Sequence, residues 1–163
     1  MKTACFSGNR IHRMPFIFDE QNEECTIIKH RLEAEIKKAI ARGYTYFISK
    51  MDLGIDMWAA EIVLRIKKFY PEITLEAAIP HENQASYWTE SQRERYFDIL
   101  SECDYVTYLS TRFIPSSIEL ANTYMINKGS LLIAVYDGKD EETNAAINHA
   151  KAKGLELVLI DLY

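Results

Sequence analysis

The chain has 163 residues, 48% of them hydrophobic and 26% charged, with 19 Lys and Arg against 24 Asp and Glu for a formal net charge of −5. These proportions exclude an intrinsically disordered chain and are enough for a core that needs no disulfide or metal staple. The acid excess argues against a surface built to neutralise phosphate backbones, so nucleic acid is not an expected partner.

Cys5, Cys25 and Cys103 are odd in number and form no C-x-x-C pair, so neither a disulfide framework nor a metal site is expected. Met1 leads almost at once into a strand-like run, and no apolar stretch approaches the roughly 20 residues that cross a bilayer. The expectation is a cytoplasmic protein without membrane contact.

Thr3–Ser7 is the first predicted strand. It runs into Ser7-Gly8-Asn9-Arg10, where Gly8 permits close backbone approach and Arg10 offers a fork of donors suited to phosphate or carboxylate. Asn9 to Asn22 forms a long loop whose Ile11, Met14, Phe16, Ile17 and Phe18 are too apolar to float free, so it is expected to fold over a sheet edge. Glu24–Arg42 carries Ile27, Ile28, Leu32, Ile36 and Ile40 near helical spacing and stops at Gly43.

A second strand, Tyr44–Ser49, ends in a polar turn holding Lys50 and Gly54, and Asp56 then opens a helix over Met57–Tyr70, closed by Pro71. Asp56 is expected to cap that helix by accepting backbone N–H bonds. Glu61, one turn on, is a weak candidate for a general base, with a solvated helix carboxylate the plainer reading; Trp58 is expected to pack. Ile73–Pro80 is the third strand, followed by Pro80-His81-Glu82-Asn83-Gln84 and then Trp88, a cluster of hydrogen-bonding groups with an aromatic close by. A helix at Glu90–Cys103, a strand at Tyr105–Ser110 leading to Arg112, and a helix at Ser117–Asn127 come next. The strand Leu131–Tyr136 turns at Asp137-Gly138, Glu142–Lys153 forms the last helix, with Thr143 in its first turn, and Leu155–Ile160 the last strand.

This alternation predicts a three-layer α/β/α sandwich of Rossmann-like type, with a mostly parallel sheet of about six strands in one domain over residues 1–163. Loops after parallel strands share the carboxyl edge, where open sheets hold ligands and where unpaired helix N–H groups favour anions. The fingerprints G-x-G-x-x-G and G-x-x-x-x-G-K-[ST] are absent, and no paired histidines or Ser-His-Asp order stands out.

Ser7-Gly8-x-Arg10 resembles the T-G-H-R-P opening of the YpsA-like branch of the SLOG superfamily. The run from Ser49 through Gly54, Asp56 and Trp58 to Glu61 resembles that branch's S-G-M-A-L-G-V-D-x-W-A-A-E. Glu82-Asn83-Gln84, Trp88, Asn122, Met125 and Leu131–Gly138 fall where similar proteins carry E-N-Q, W, N, M and L-L-I-A-V-x-D-G. The likeness covers nearly the whole chain. It implies a Rossmann-like fold and a nucleotide-type ligand; the superfamily includes LOG-type phosphoribohydrolases and the DNA-processing protein DprA. Two departures bear on that ligand: Lys50 replaces a glycine, and Glu141-Glu142 replaces the two glycines of a G-G-T phosphate-binding turn.

The resulting expectation is a non-catalytic protein binding or sensing a small anionic nucleotide or its derivative at a partly degenerate phosphate site. Ser7, Gly8, Arg10, Ser49, Lys50, Gly54, Asp56, Glu82, Gln84, Asp137, Gly138 and Thr143 are its candidate ligand residues. No cofactor beyond such a ligand is expected, and a homo-oligomer is compatible with the sequence. The alternatives are a LOG-like hydrolase of an N-glycosidic bond, with Glu61 as its acid or base, and a ligand-free interaction scaffold.

Overall fold

The computed structural model describes residues 1–9 and 19–162. Six strands, β1 (Lys2–Gly8), β2 (Tyr44–Ser49), β3 (Thr74–Ile79), β4 (Tyr105–Tyr108), β5 (Leu131–Tyr136) and β6 (Glu156–Asp161), alternate with five helices. These are α1 (Glu23–Ala41), α2 (Ile55–Lys67), α3 (Glu90–Glu102), α4 (Ser117–Lys128) and α5 (Glu141–Ala152). The sheet order is β4-β3-β2-β1-β5-β6 and every pairing is parallel.

Strands β1 to β4 add in one direction, and the chain then returns across the sheet to place β5 on the other side of β1. Right-handed crossovers therefore put α1, α2 and α3 on one face and α4 and α5 on the other. The core divides the same way, following the period of two along each strand. Ala4, Phe6, Phe47, Leu75, Ala77 and Ile79 face the three-helix layer, while Cys5, Tyr46, Ile48, Ala78, Leu132 and Ala134 face the two-helix layer. The order reverses between β1 and β5, and the crevice at their carboxyl ends is where such sheets receive ligands.

Local chemistry explains the element ends. Asn22 caps α1 by accepting from the Glu24 N–H at 2.8 Å, and Thr89 and Gln92 close α3 with a capping box. The buried stripe of α1 runs through Cys25, Ile28, Leu32, Ile36 and Ala39, leaving the expected core residue Ile27 50% exposed. Helix α2, between α1 and α3, is buried along most of its length and starts at Ile55, two residues before the predicted Met57. Gly54, at φ 102° and ψ −126°, makes that earlier start by turning the chain through a conformation L side chains rarely adopt. Strand β4 ends at Tyr108 rather than Ser110, as suits an edge strand with one neighbour.

One polar group is built into the two-helix layer. Glu76 of β3 is 1% exposed and accepts hydrogen bonds from the Tyr46 hydroxyl at 2.5 Å, Thr107 Oγ1 at 2.7 Å, Lys128 Nζ at 2.9 Å and the Tyr124 hydroxyl. Burial works to raise its carboxyl, but these four donors outweigh it and hold the group below its ordinary range.

Candidate functional site at the carboxyl edge

Strand β2 delivers Ser49 and Lys50 to the carboxyl edge, and a short turn brings α2 back against them. Ser49 Oγ donates to the Asp56 carbonyl at 2.7 Å and accepts from the Met51 N–H at 3.1 Å, which fixes Met51 at φ 63°. The Lys50 ammonium lies 3.7 Å from Asp56 Oδ2, too long for a hydrogen bond, with both side chains more than nine-tenths buried. Gln84, from the loop after β3, donates to the Lys50 carbonyl at 3.1 Å and accepts from the Tyr96 hydroxyl at 3.1 Å. Ser49, Lys50, Asp56 and Gln84 are therefore brought together.

Beside them is a cavity of about 220 Å³ lined by Lys50, Asp52, His81, Gln84, Trp88 and Phe113. His81 meets Phe113 edge-on at 5.5 Å, and Trp88 meets Tyr96 edge-on at 5.1 Å. Lys50 is the cation at this opening, and Trp88 and Phe113 supply flat apolar walls.

The expected cap at Asp56 is not made. Gly54 is the N-cap residue of α2 and no side chain caps it, so Asp56 sits inside the first turn with Oδ1 unpartnered. Burial pushes its carboxyl up to about 6; Lys50 and the Asp52 N–H pull it down, while the charges of Asp52 and Glu142 push it further up.

Across the sheet's switch point, Asp137 Oδ1 accepts from the N–H groups of Lys139 at 2.7 Å and Asp140 at 3.0 Å. Burial works to raise this carboxyl, but those two bonds hold it below its ordinary range. Asp140 caps α5: its Oδ2 accepts from the Thr143 N–H at 3.0 Å and from Thr143 Oγ1 at 2.6 Å. Thr143 is thus buried against the chain's own cap, while Glu141 is exposed and Glu142 half-buried. The acid that fills this turn is Asp140, which the sequence reading passed over in favour of its two neighbours. The Asp-x-x-Thr spacing was its signal.

The remaining candidates separate. Gly8 is packed against α2, where an added Cβ would lie 2.5 Å from Ile55 Cβ, so the close approach it permits is that of a helix. Ser7 is buried at the end of β1, and Gly138 and Glu82 are exposed. Arg10 lies outside the described residues, as does most of the apolar loop expected over the edge. Glu61 is away from the edge, about 9 Å along α2 from Ile55 by the helical rise. Arg95 grips its carboxylate with Nε at 2.9 Å and Nη2 at 2.5 Å. The same Arg95 holds Glu20, which also pairs with Lys29 at 2.9 Å. Trp58 packs as expected, 2% exposed beneath the Lys29 ammonium at 4.9 Å.

The edge has one further property. Among the described residues, the buried side-chain polar atoms without a hydrogen-bond partner are Asn9 Nδ2 and Oδ1, Asp56 Oδ1, His81 Nδ1 and Asn122 Oδ1. Asn9 directly follows β1, Asp56 opens α2, His81 follows β3, and Asn122 is in the second turn of α4. Asn9, Asp56 and His81 lie at the carboxyl edge, and Asn122 lies about 7.5 Å along α4 from its first residue.

An all-parallel sheet in this order, with its polar groups converging on one edge, defines a Rossmann-like α/β protein. The chain belongs to the YspA SLOG family, whose YpsA model matches residues 4–158. It is 33% identical over 139 residues to a UPF0398 protein of Halalkalibacterium halodurans, covering 84% of this chain and 73% of that one. It is 34% identical over 158 residues to a UPF0398 protein of Bacillus thuringiensis, covering 94% and 85%.

Among solved structures, the fold is similar to that of DprA from Streptococcus pneumoniae, with TM-score 0.64 and 11% identity over 98% of this chain. It is equally similar to DprA from Helicobacter pylori, with TM-score 0.64 and 15% identity over 97% of this chain. The chain spans 50% and 64% of those two proteins.

The H. pylori structure concerns a single-stranded DNA binding mode, and this overturns the expectation that nucleic acid is excluded as a partner. Net charge averages over a whole surface, whereas a nucleic-acid contact depends on the local distribution of charge and stacking groups. No described helix is long and apolar enough to cross a membrane.

Proposed function

We propose that this protein is a cytoplasmic, single-domain, non-catalytic binding module for a nucleotide or nucleotide-derived ligand, held at the carboxyl edge around Lys50. The carrying observation is the gathering of unpartnered buried polar atoms from Asn9, Asp56 and His81 at that edge. Folded proteins satisfy at least about 90% of such groups, and exceptions grouped at a ligand-receiving edge are supported by a ligand or ordered water. Trp88 and Phe113 supply ring-stacking surfaces beside them. At about 220 Å³ the cavity is below the roughly 300–1,000 Å³ of drug-sized pockets, so it takes one ring or sugar rather than a dinucleotide. Glu61, bound by Arg95 and remote from the edge, supplies no general base there.

The test is a thermal-shift panel of nucleosides, nucleotides, NAD, ADP-ribose and a single-stranded oligonucleotide, followed by titration of intrinsic fluorescence. Trp58 is buried under Lys29, so a ligand in the cavity acts on Trp88. The quench is expected to disappear in Trp88→Phe. Oligonucleotide binding with no response to any mononucleotide would instead favour a DprA-like role, and no response to the whole panel would favour a scaffold without ligand.

A further inference from the structure

We propose, resting on the binding role above, that the group recognised beside Lys50 is the neutral, hydroxyl- and amino-bearing part of a nucleoside, and that phosphate is dispensable.

The turn after β5, a feature that would hold phosphate, is already occupied by the chain's own carboxylates. At the end of β5, Asp137 takes the N–H groups of Lys139 and Asp140, and Asp140 takes the N–H and hydroxyl of Thr143. At the start of α2, Asp52 takes the Leu53 N–H through Oδ1 and the Met57 N–H through its carbonyl, while the Trp58 N–H goes to the Gly54 carbonyl. A helix N-terminus attracts anions through such donors, and at α2 that of Met57 is spent.

Charge points the same way. The Lys50 ammonium is already paired with Asp56, and the charges of Asp52 and Glu142 act on that same carboxylate. A phosphate entering here meets one neutralised cation and three acidic side chains.

The unpartnered atoms state what is wanted instead. Asp56 Oδ1, on the carboxylate that faces Lys50, is an acceptor without a donor, and His81 Nδ1 at the cavity wall is likewise unpartnered. Acceptors require donors, which an ionised phosphate lacks and which hydroxyl and amino groups supply. At 3.7 Å the Lys50–Asp56 contact is an ion pair without a hydrogen bond, and a hydroxyl can accept from the ammonium while donating to the carboxylate. A sugar hydroxyl and a base amino group have this chemistry, and Trp88 and Phe113 offer faces for the ring.

The experiment is calorimetric titration of the wild-type chain with the four nucleosides, their 5′-monophosphates and inorganic phosphate. At least one nucleoside is expected to bind as tightly as its monophosphate to within a few-fold, with inorganic phosphate silent. Asp56→Asn, checked for folding by circular dichroism, is expected to weaken that nucleoside by about tenfold or more. His81→Ala at the cavity wall is the second variant, with a loss in the same direction. A monophosphate bound about tenfold more tightly than its nucleoside would overturn this inference while leaving the nucleotide-binding role standing. Absence of binding by every nucleoside and nucleotide would overturn both.

Discussion

A Cβ placed on Gly8 would stand 2.5 Å from both Cβ and Cγ1 of Ile55, so the end of β1 and the first residue of α2 touch where only glycine fits. The contact fixes how closely α2 approaches the sheet, and with it the position of the turn that presents Lys50 and Asp56. Gly8→Ala is expected to lower stability by about 1–3 kcal/mol, the usual cost of overpacking. Ile55→Gly in the same chain, which removes the facing Cβ, should recover part of that loss, so a denaturant-unfolding cycle of the four variants should show strong coupling. Additive effects would mean that Gly8 and Ile55 do not constrain one another.

The Asp56 carboxyl gives the edge a pH signature. Its ordinary value of 3.8 is pushed up to about 6 by burial against the opposing pull of Lys50. Between those values the folded state holds more proton than the unfolded chain. This group's contribution is therefore most favourable below about pH 4, falls as pH rises toward 6, and is flat above. The melting temperature of wild type relative to Asp56→Asn should decline across that window. A constant difference from pH 4 to 6.5 would remove the assignment.

Glu20 has the opposite sign. Burial works to raise its carboxyl, but hydrogen bonds from Arg95 and Lys29 bring it down to about 2 from 4.5. Its stabilisation is complete above about pH 4.5 and is lost as pH falls through 2. Glu20→Gln should flatten that part of the acid-unfolding curve. An unchanged acid limb would show that Arg95 does not hold Glu20 in solution.

Glu61 shares Arg95 but has no role at the edge, so Glu61→Gln should leave ligand affinity unchanged. Each partner's side chain is about one-third exposed, and solvent screening limits the stability loss to about 1 kcal/mol or less. A large affinity loss would return Glu61 to the functional site.

Glu76→Ala is expected to cost about 1–3 kcal/mol, because it removes the buried acceptor of Tyr46, Tyr124 and Thr107, while Lys128, 40% exposed, can turn to water. Glu76→Gln keeps an acceptor and should cost less. Equal losses in urea unfolding would mean that shape rather than charge decides the site.

The strands and helices were readable because continuous apolar runs and helical spacings carry their own signal, and most element ends fall within two residues of expectation. The errors have local causes. Ile27 is exposed because the buried stripe of α1 runs through Cys25, Ile28, Leu32, Ile36 and Ala39, and Ile27 falls outside it at 100° per residue. Asp56 is no cap because Gly54 already ends the turn. At the edge, the residues Ser49, Lys50, Asp56 and Gln84 were legible as candidates, but their bonding was not. Phe113 and Arg95 enter the account only through neighbours far away in the chain, whereas Asp140 bonds Thr143 three residues on.

By itself, the amino-acid order determined the α/β alternation, the parallel layers and the location of the turns at the carboxyl edge, all of which follow from hydrophobic periodicity and turn chemistry along neighbouring residues. Only the tertiary structure decided what those turns can hold. Whether a carbonyl is free or filled, as at Lys50 beneath Gln84, and whether a cation is available or paired, as at Lys50 beside Asp56, depends on distance and burial. Hydrogen bonds and Coulomb attraction act through space, and a sequence pattern records only which groups are present to make them.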